Sequence, residues 1–135
     1  MVRIEIYALK EKFIDDAYHE TNGLFMLKQR PYVLGVQCDG VDYLIPLSHG
    51  GDSDRYSYAL KTQNLRFSKA FPLVNRSIIQ SSYYRSALDS GTFDELNNNF
   101  DKIVASFRDY IQYNYPSKYS FDHRILLELQ RNNKY

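Results

Sequence analysis

Residues 30–55, RPYVLGVQCDGVDYLIPLSHGGDSDR, constrain the fold more than any other stretch of the chain. Two apolar runs, 32–38 and 41–47, flank Asp39-Gly40, and both residues of that dipeptide tolerate the positive φ of a type I′ turn. A hairpin built on this turn pairs Cys38 with Val41, Val36 with Tyr43, Leu34 with Ile45 and Tyr32 with Leu47. Alternation along a strand puts those eight side chains on one wholly apolar face. The other face carries Val33, Gly35, Gln37, Asp42, Leu44 and Pro46, a mixed set, so one face of the hairpin is expected to lie on a core. After Leu47 the apolar run stops at Ser48-His49-Gly50-Gly51, which predicts a loop over 48–54. Glycine there leaves room for close approach of a ligand, and chemistry is expected at this exit.

The remaining elements follow from periodicity. Residues 2–9 alternate as a strand, and 10–19 carry Phe13, Ile14 and Ala17 at helical spacing before Thr21-Asn22-Gly23 ends the helix. Residues 56–62 alternate weakly as a strand or ordered loop. Residues 69–74 read as an edge strand because of Pro72, with Ile78-Ile79 prolonging the sheet. A helix over 93–114 is predicted from Phe93, Leu96, Phe100, Ile103, Val104, Phe107 and Ile111, with Thr92 and Glu95 spaced as a capping box. A last helix is expected over 121–131. The order of elements implies one α+β domain over 1–135, a twisted antiparallel sheet packed on helices.

With 135 residues the chain is long enough for one real core. No apolar run reaches the roughly 18–20 residues of a membrane span, and the first residues lack the pattern of a secretory signal. A single cysteine, Cys38, on the apolar hairpin face, reads as a buried hydrophobe in a reducing cytoplasm. His19, His49 and His123 lack zinc-ligand spacing, and Asp52-Ser53-Asp54 lacks the glycine and distal glutamate of a calcium loop, so neither metal nor cofactor is expected.

The net charge of +1 says less than its distribution. Between 55 and 88 lie six cations, Arg55, Lys61, Arg66, Lys69, Arg76 and Arg85, and no acid, which leaves 11 cations against all 16 acids elsewhere. Tyr56, Tyr58, Phe67, Phe71, Tyr83 and Tyr84 are interleaved with them. Cations for phosphates and aromatic faces for unpaired bases are the ingredients of a single-stranded nucleic-acid surface; alternatively the aromatics are core and the cations a solvated face. Metal-free RNA cleavage needs a group to take the ribose 2′-OH proton, one to protonate the departing 5′-oxygen, and donors or cations for the charge on phosphorus. His49 has the character for either proton transfer, Ser48 for donating to a phosphate oxygen, and Lys61 or Arg55 for offsetting charge.

The run from Asp39 to Ser48 resembles the hairpin and active-site loop of the ToxN/AbiQ/TenpN-type toxins, the endoribonucleases of type III toxin–antitoxin systems. In that family a Gly-x-x-Tyr-x-x-Pro-Leu/Phe strand leads into a Ser/Thr-containing loop. Arg30-Pro31-Tyr32, Phe67-Ser68-Lys69-Ala70, Tyr84-Arg85, Asp101-Lys102-Ile103 and the stretch from Phe121 through Leu126-Leu127-Glu128 are similar in the same order. The resemblance implies an α+β fold related to the SH3-like barrels of the Kid/MazF-type toxins, packed against C-terminal helices. It implies metal-independent cleavage leaving a 2′,3′-cyclic phosphate, and inhibition by a tandem-repeat RNA pseudoknot within a protein–RNA assembly, in the service of phage defence. By position Ser48 and His49 match the loop's two hydroxyl residues. Gly51 stands where ToxN-related members carry a lysine, whose work then falls to Lys61, Arg55 or His49. Arg30, Tyr32, Tyr56, Tyr58, Arg66, Lys69 and Arg76 are the expected RNA contacts. The alternatives are a non-catalytic RNA- or DNA-binding module using 55–88 and a protein-interaction domain.

Overall fold

The computed structural model describes residues 4–23, 32–49, 57–80, 90–113 and 121–135, with 32–35, 49, 90, 113 and 121–123 described by backbone alone. Seven strands, β1 (Glu5–Leu9), β2 (Tyr32–Cys38), β3 (Val41–His49), β4 (Ser57–Ala59), β5 (Gln63–Arg66), β6 (Phe71–Pro72) and β7 (Ile79–Gln80), make one antiparallel sheet in the order β4-β5-β3-β2-β1-β7, with β6 also on β3. The sheet is curled into a half-barrel. Helices α1 (Glu11–Glu20), α2 (Ser90–Asn98), α3 (Phe100–Tyr113) and α4 (Phe121–Asn132) complete an α+β domain. No helix among the described residues is long and apolar enough to cross a membrane.

The hairpin turns where the sequence places it: Asp39 and Gly40 take φ of 52° and 77°, the left-handed pair of a type I′ turn. Cys38↔Val41 and Val36↔Tyr43 pair as expected. Beyond them a bulge between Val33 and Val36 shifts the register, so Val33 faces Ile45 and Tyr32 faces Pro46, in place of the expected Leu34–Ile45 and Tyr32–Leu47 pairs. One extra residue on β2 offsets its backbone pairing with β3 by one position beyond the bulge.

Both faces of the sheet are covered, which corrects the expectation of a single apolar face. On one side Val36, Cys38, Tyr43, Ile45, Leu47, Leu65 and Phe67 pack with Leu96, Ile103, Phe107 and Tyr110 of α2 and α3. The Phe107 ring is edge-on to Tyr43 at 5.0 Å and to Phe67 at 5.1 Å. On the other side Leu9, Leu44, Phe71 and Ile78 pack with Phe13 and Ala17 of α1 and Leu126 of α4. Leu44 and Pro46, taken from sequence as part of a mixed face, are buried. Each fully buried aliphatic or aromatic side chain is worth about 1.5–3 kcal/mol.

The helix boundaries have identifiable causes. Asn22, at φ 53°, stops α1: the Gly23 N–H donates to the Tyr18 carbonyl at 2.7 Å and the Asn22 N–H to His19 at 3.1 Å, which satisfies two terminal carbonyls. The expected single helix over 93–114 is two helices, broken at Asn99. There the Asn99 side-chain amide donates to the Glu95 carbonyl at 2.8 Å, sharing it with the Asn99 backbone N–H at 3.0 Å. Gln130 of α4, 1% exposed, accepts from the N–H groups of Val74 and Asn75 at 2.8 and 3.1 Å and donates to the Pro72 carbonyl at 3.1 Å. It thereby satisfies backbone groups beside β6, the short strand that Pro72 suits to an edge.

Candidate active site

Ser48 and His49 lie in strand β3, not in the loop expected after Leu47. Ladder pairing uses backbone groups, so a change from apolar to polar side chains does not end a strand that still has a neighbour. That neighbour is β5: Leu47 faces Leu65, Ser48 faces Asn64 and His49 faces Gln63. Along the same edge of β3 the β5 ladder stops beside Pro46, which has no N–H to give, and the chain makes the 3-10 turn Phe67–Lys69 before β6 resumes pairing at Leu44.

Strand β5 returns from β4 through a two-residue turn, Lys61-Thr62, closed by the Leu60 N–H donating to the Gln63 carbonyl at 2.8 Å. Lys61 is thus two residues beyond the position paired with His49, within about 10 Å of it by strand spacing. Side chains directly opposite share a face, so Ser48 and Asn64 stand together, with Arg66 and Ser57 in the next row. All four are half-buried, whereas Gln63 and Leu65 on the alternate face of β5 are buried at 8% and 0% exposure. The structure therefore brings Ser48, Lys61 and Arg66 to one end of the sheet.

Other residues singled out in the sequence are placed elsewhere. The Arg76 guanidinium is 3.8 Å from Asp42 and 4.0 Å from Glu5, at the turn end of the β2–β3 hairpin. Asp42 and Ser48 are six residues apart on one strand, about 20 Å at strand rise. Lys69 is exposed at the end of its 3-10 turn. Tyr58 packs against the core beneath β5, and Phe67 and Phe71 are inside the two cores, so these three rings do not form the open stacking surface that the alternation of cations and aromatics suggested. Arg30, Arg55 and Tyr56 lie outside the described residues, as do the side chains of Tyr32 and His49. Burial pushes the Cys38 thiol up, helped by the charge of Asp39, which keeps it a protonated core group.

A cleft of about 470 Å³ opens between the Lys61-Thr62 turn and α2, lined also by Thr92, Asp94, Glu95 and Asn98. Both Glu95 carboxylate oxygens accept from the Lys61 backbone N–H at 3.2 Å. This corrects the expected capping box: α2 begins at Ser90, and Glu95 holds the neighbouring turn instead of its own helix start. Asn64 and Asn98 are not singled out by the sequence, and Glu95 is singled out there only as a helix cap. The run Asn97-Asn98-Asn99, unfavourable inside a helix, was the available signal. Among the described residues no group of three or more His, Cys, Asp or Glu is arranged to hold a metal ion.

The chain matches no protein-family model, no curated protein sequence and no solved structure.

Proposed function

We propose that the protein is a metal-independent endoribonuclease, the toxin of a type III toxin–antitoxin pair, with its reacting groups at the end of the sheet where β3 meets the β4–β5 hairpin. In this reading the half-barrel is a relative of the SH3-like Kid/MazF-type barrels. The observation that carries the proposal is the β3–β5 register, Ser48 on Asn64 and His49 on Gln63, which brings Ser48-His49 beside the Lys61-Thr62 turn. The resemblance of residues 39–48 to the family's strand and active-site loop supports the same location.

The chemistry requires three assistances. The ribose 2′-oxygen attacks phosphorus as its proton leaves, the bond from phosphorus to the 5′-oxygen breaks as that oxygen gains a proton, and a 2′,3′-cyclic phosphate remains. His49 carries one of the two proton transfers, Ser48 donates to a non-bridging oxygen, and Lys61, with Arg55, offsets the developing charge. Arg66, on the same face as Ser48, and Lys69 hold the flanking backbone. An RNA antitoxin of tandem-repeat pseudoknots occupies the same surface and silences it in the cytoplasm until phage infection.

Incubating the purified protein with total RNA in EDTA tests this. Fragments ending in 2′,3′-cyclic phosphate are expected, and intact RNA removes the enzyme. Salt-sensitive RNA binding without cleavage points instead to a non-catalytic binding module.

A further inference from the structure

The cleft beside the proposed cleavage end has a lining unlike that of a phosphate groove. Of its charged groups two are carboxylates, Asp94 and Glu95, and one is the Lys61 ammonium, so its lining carries a net charge of minus one and, away from Lys61, offers acceptors to a hydrogen-bond donor and no cation to a phosphate. Its neutral polar groups include Thr62 and the amide of Asn98. Asp94, Asn98, Lys61 and Thr62 are exposed and accessible from solvent. Glu95 uses its oxygens on one backbone N–H, while a carboxylate offers about four lone-pair positions. At about 470 Å³ the cleft is within the range of sites that hold small organic groups.

Carboxylates and a primary amide are the side chains that read the hydrogen-bonding edge of a base: acids accept from amino groups, and asparagine both donates and accepts. Single-stranded RNA presents these edges when its bases are splayed out of the stack. We propose that this cleft receives one unpaired RNA base bearing an amino group, adenine, cytosine or guanine, with Asp94 and Glu95 accepting from the base and Asn98 completing the contact. Uracil, with carbonyls on both sides of its single N–H, meets the carboxylates with like-signed oxygen. The pocket lies against the turn that carries Lys61, so the base it takes belongs to a nucleotide near the cut. That last point rests on the nuclease reading, whereas base selection does not.

The test uses 2′-O-methyl oligomers UUXUU, in which the nucleophile is blocked and binding is read without cleavage, at one fixed salt concentration. The full chain is expected to bind X = A, C or G about tenfold more tightly than X = U, the order of one good base contact. Asp94→Asn and Asn98→Ala, both at exposed positions, each reduce that preference several-fold and leave affinity for UUUUU within about twofold. Equal affinity for all four oligomers, or the same preference in both variants, overturns the pocket. The two proposals fail separately: base preference without cyclic-phosphate products in EDTA keeps the pocket and removes the nuclease, and products without preference do the reverse.

Discussion

The two ends of β3 treat charge in opposite ways. At the turn end Arg76 is held by Asp42 and Glu5, Gln37 donates to Asp42 at 2.7 Å, and the one thiol is buried. At the exit end Ser48 and Arg66 share a face, and the turn carrying Lys61 overhangs a cleft. A strand of nine residues is about 30 Å long, so cations that are neighbours in sequence serve different ends of the molecule. The described part of the acid-free run, residues 57–80, is therefore divided between the two ends.

The largest expected effect comes from a ring that supports both ends. Phe107, fully buried, contacts Tyr43 on the turn half and Phe67 just past β5. Phe107→Ala should lower stability by about 3–5 kcal/mol in urea unfolding. Both ends should lose amide protection together in hydrogen exchange; separate melting would make them independent units and break the comparison.

The exit end is then tested by chemistry. His49→Ala should slow single-turnover RNA cleavage by about a hundredfold or more, since a positioned acid or base contributes that much. Full activity would remove His49 from the mechanism. Lys61→Ala should cost about tenfold, the loss of one charge-stabilising group, with the urea midpoint unchanged because Glu95 holds the turn through backbone.

A smaller effect belongs to the layer on the far face, where the Tyr135 hydroxyl donates to Asp16 at 2.9 Å and its ring meets Phe13 edge-on at 5.3 Å. Burial raises the Asp16 carboxyl, but the hydrogen bonds from Tyr135 and Lys12 outweigh it and the net shift is downward. A depressed carboxyl stabilises the fold above its unfolded value, about 3.9, and that contribution is lost as pH falls through the folded value. Tyr135→Phe should therefore cost about 1 kcal/mol at pH 7, shrinking below about pH 4, with cleavage unchanged. A pH-independent difference would show that the hydroxyl acts through packing alone.

What could be read from sequence was local. The Asp39-Gly40 turn, the Asn22 stop and the Ile103–Phe107 stripe each depend on a few adjacent residues, and all three are in the structure. The bulge between Val33 and Val36 was illegible because a two-residue period does not show one inserted position. The second covered face was illegible because the stripe of α1 does not say which side of a sheet it will cover. Ser48 and His49 looked like loop because side-chain polarity was taken as the end of a strand whose continuation depends on β5, some fifteen residues away. Glu95 looked like a cap because its spacing from Thr92 is the same whether it serves its own helix or the turn across the cleft.

The smallest effect is expected at Arg76, and it sharpens the comparison by being small. Its side chain is 62% exposed and its contacts of 3.8 and 4.0 Å are at the long end for ion pairs, so solvent screens them and Arg76→Ala should change stability by at most about 0.5 kcal/mol. If RNA bound along the whole 55–88 run, removing this cation would flatten the salt dependence of affinity by about one counterion, as removal of any phosphate-contacting cation does. With Arg76 held by Asp42, about 20 Å along β3 from Ser48, and shared between two carboxylates, the slope should stay unchanged, whereas Arg66→Ala at the exit end should lower it by about one. Equal changes in the two variants would mean that the RNA path runs the length of β3, and that the acids at the turn end give up their cation when RNA arrives.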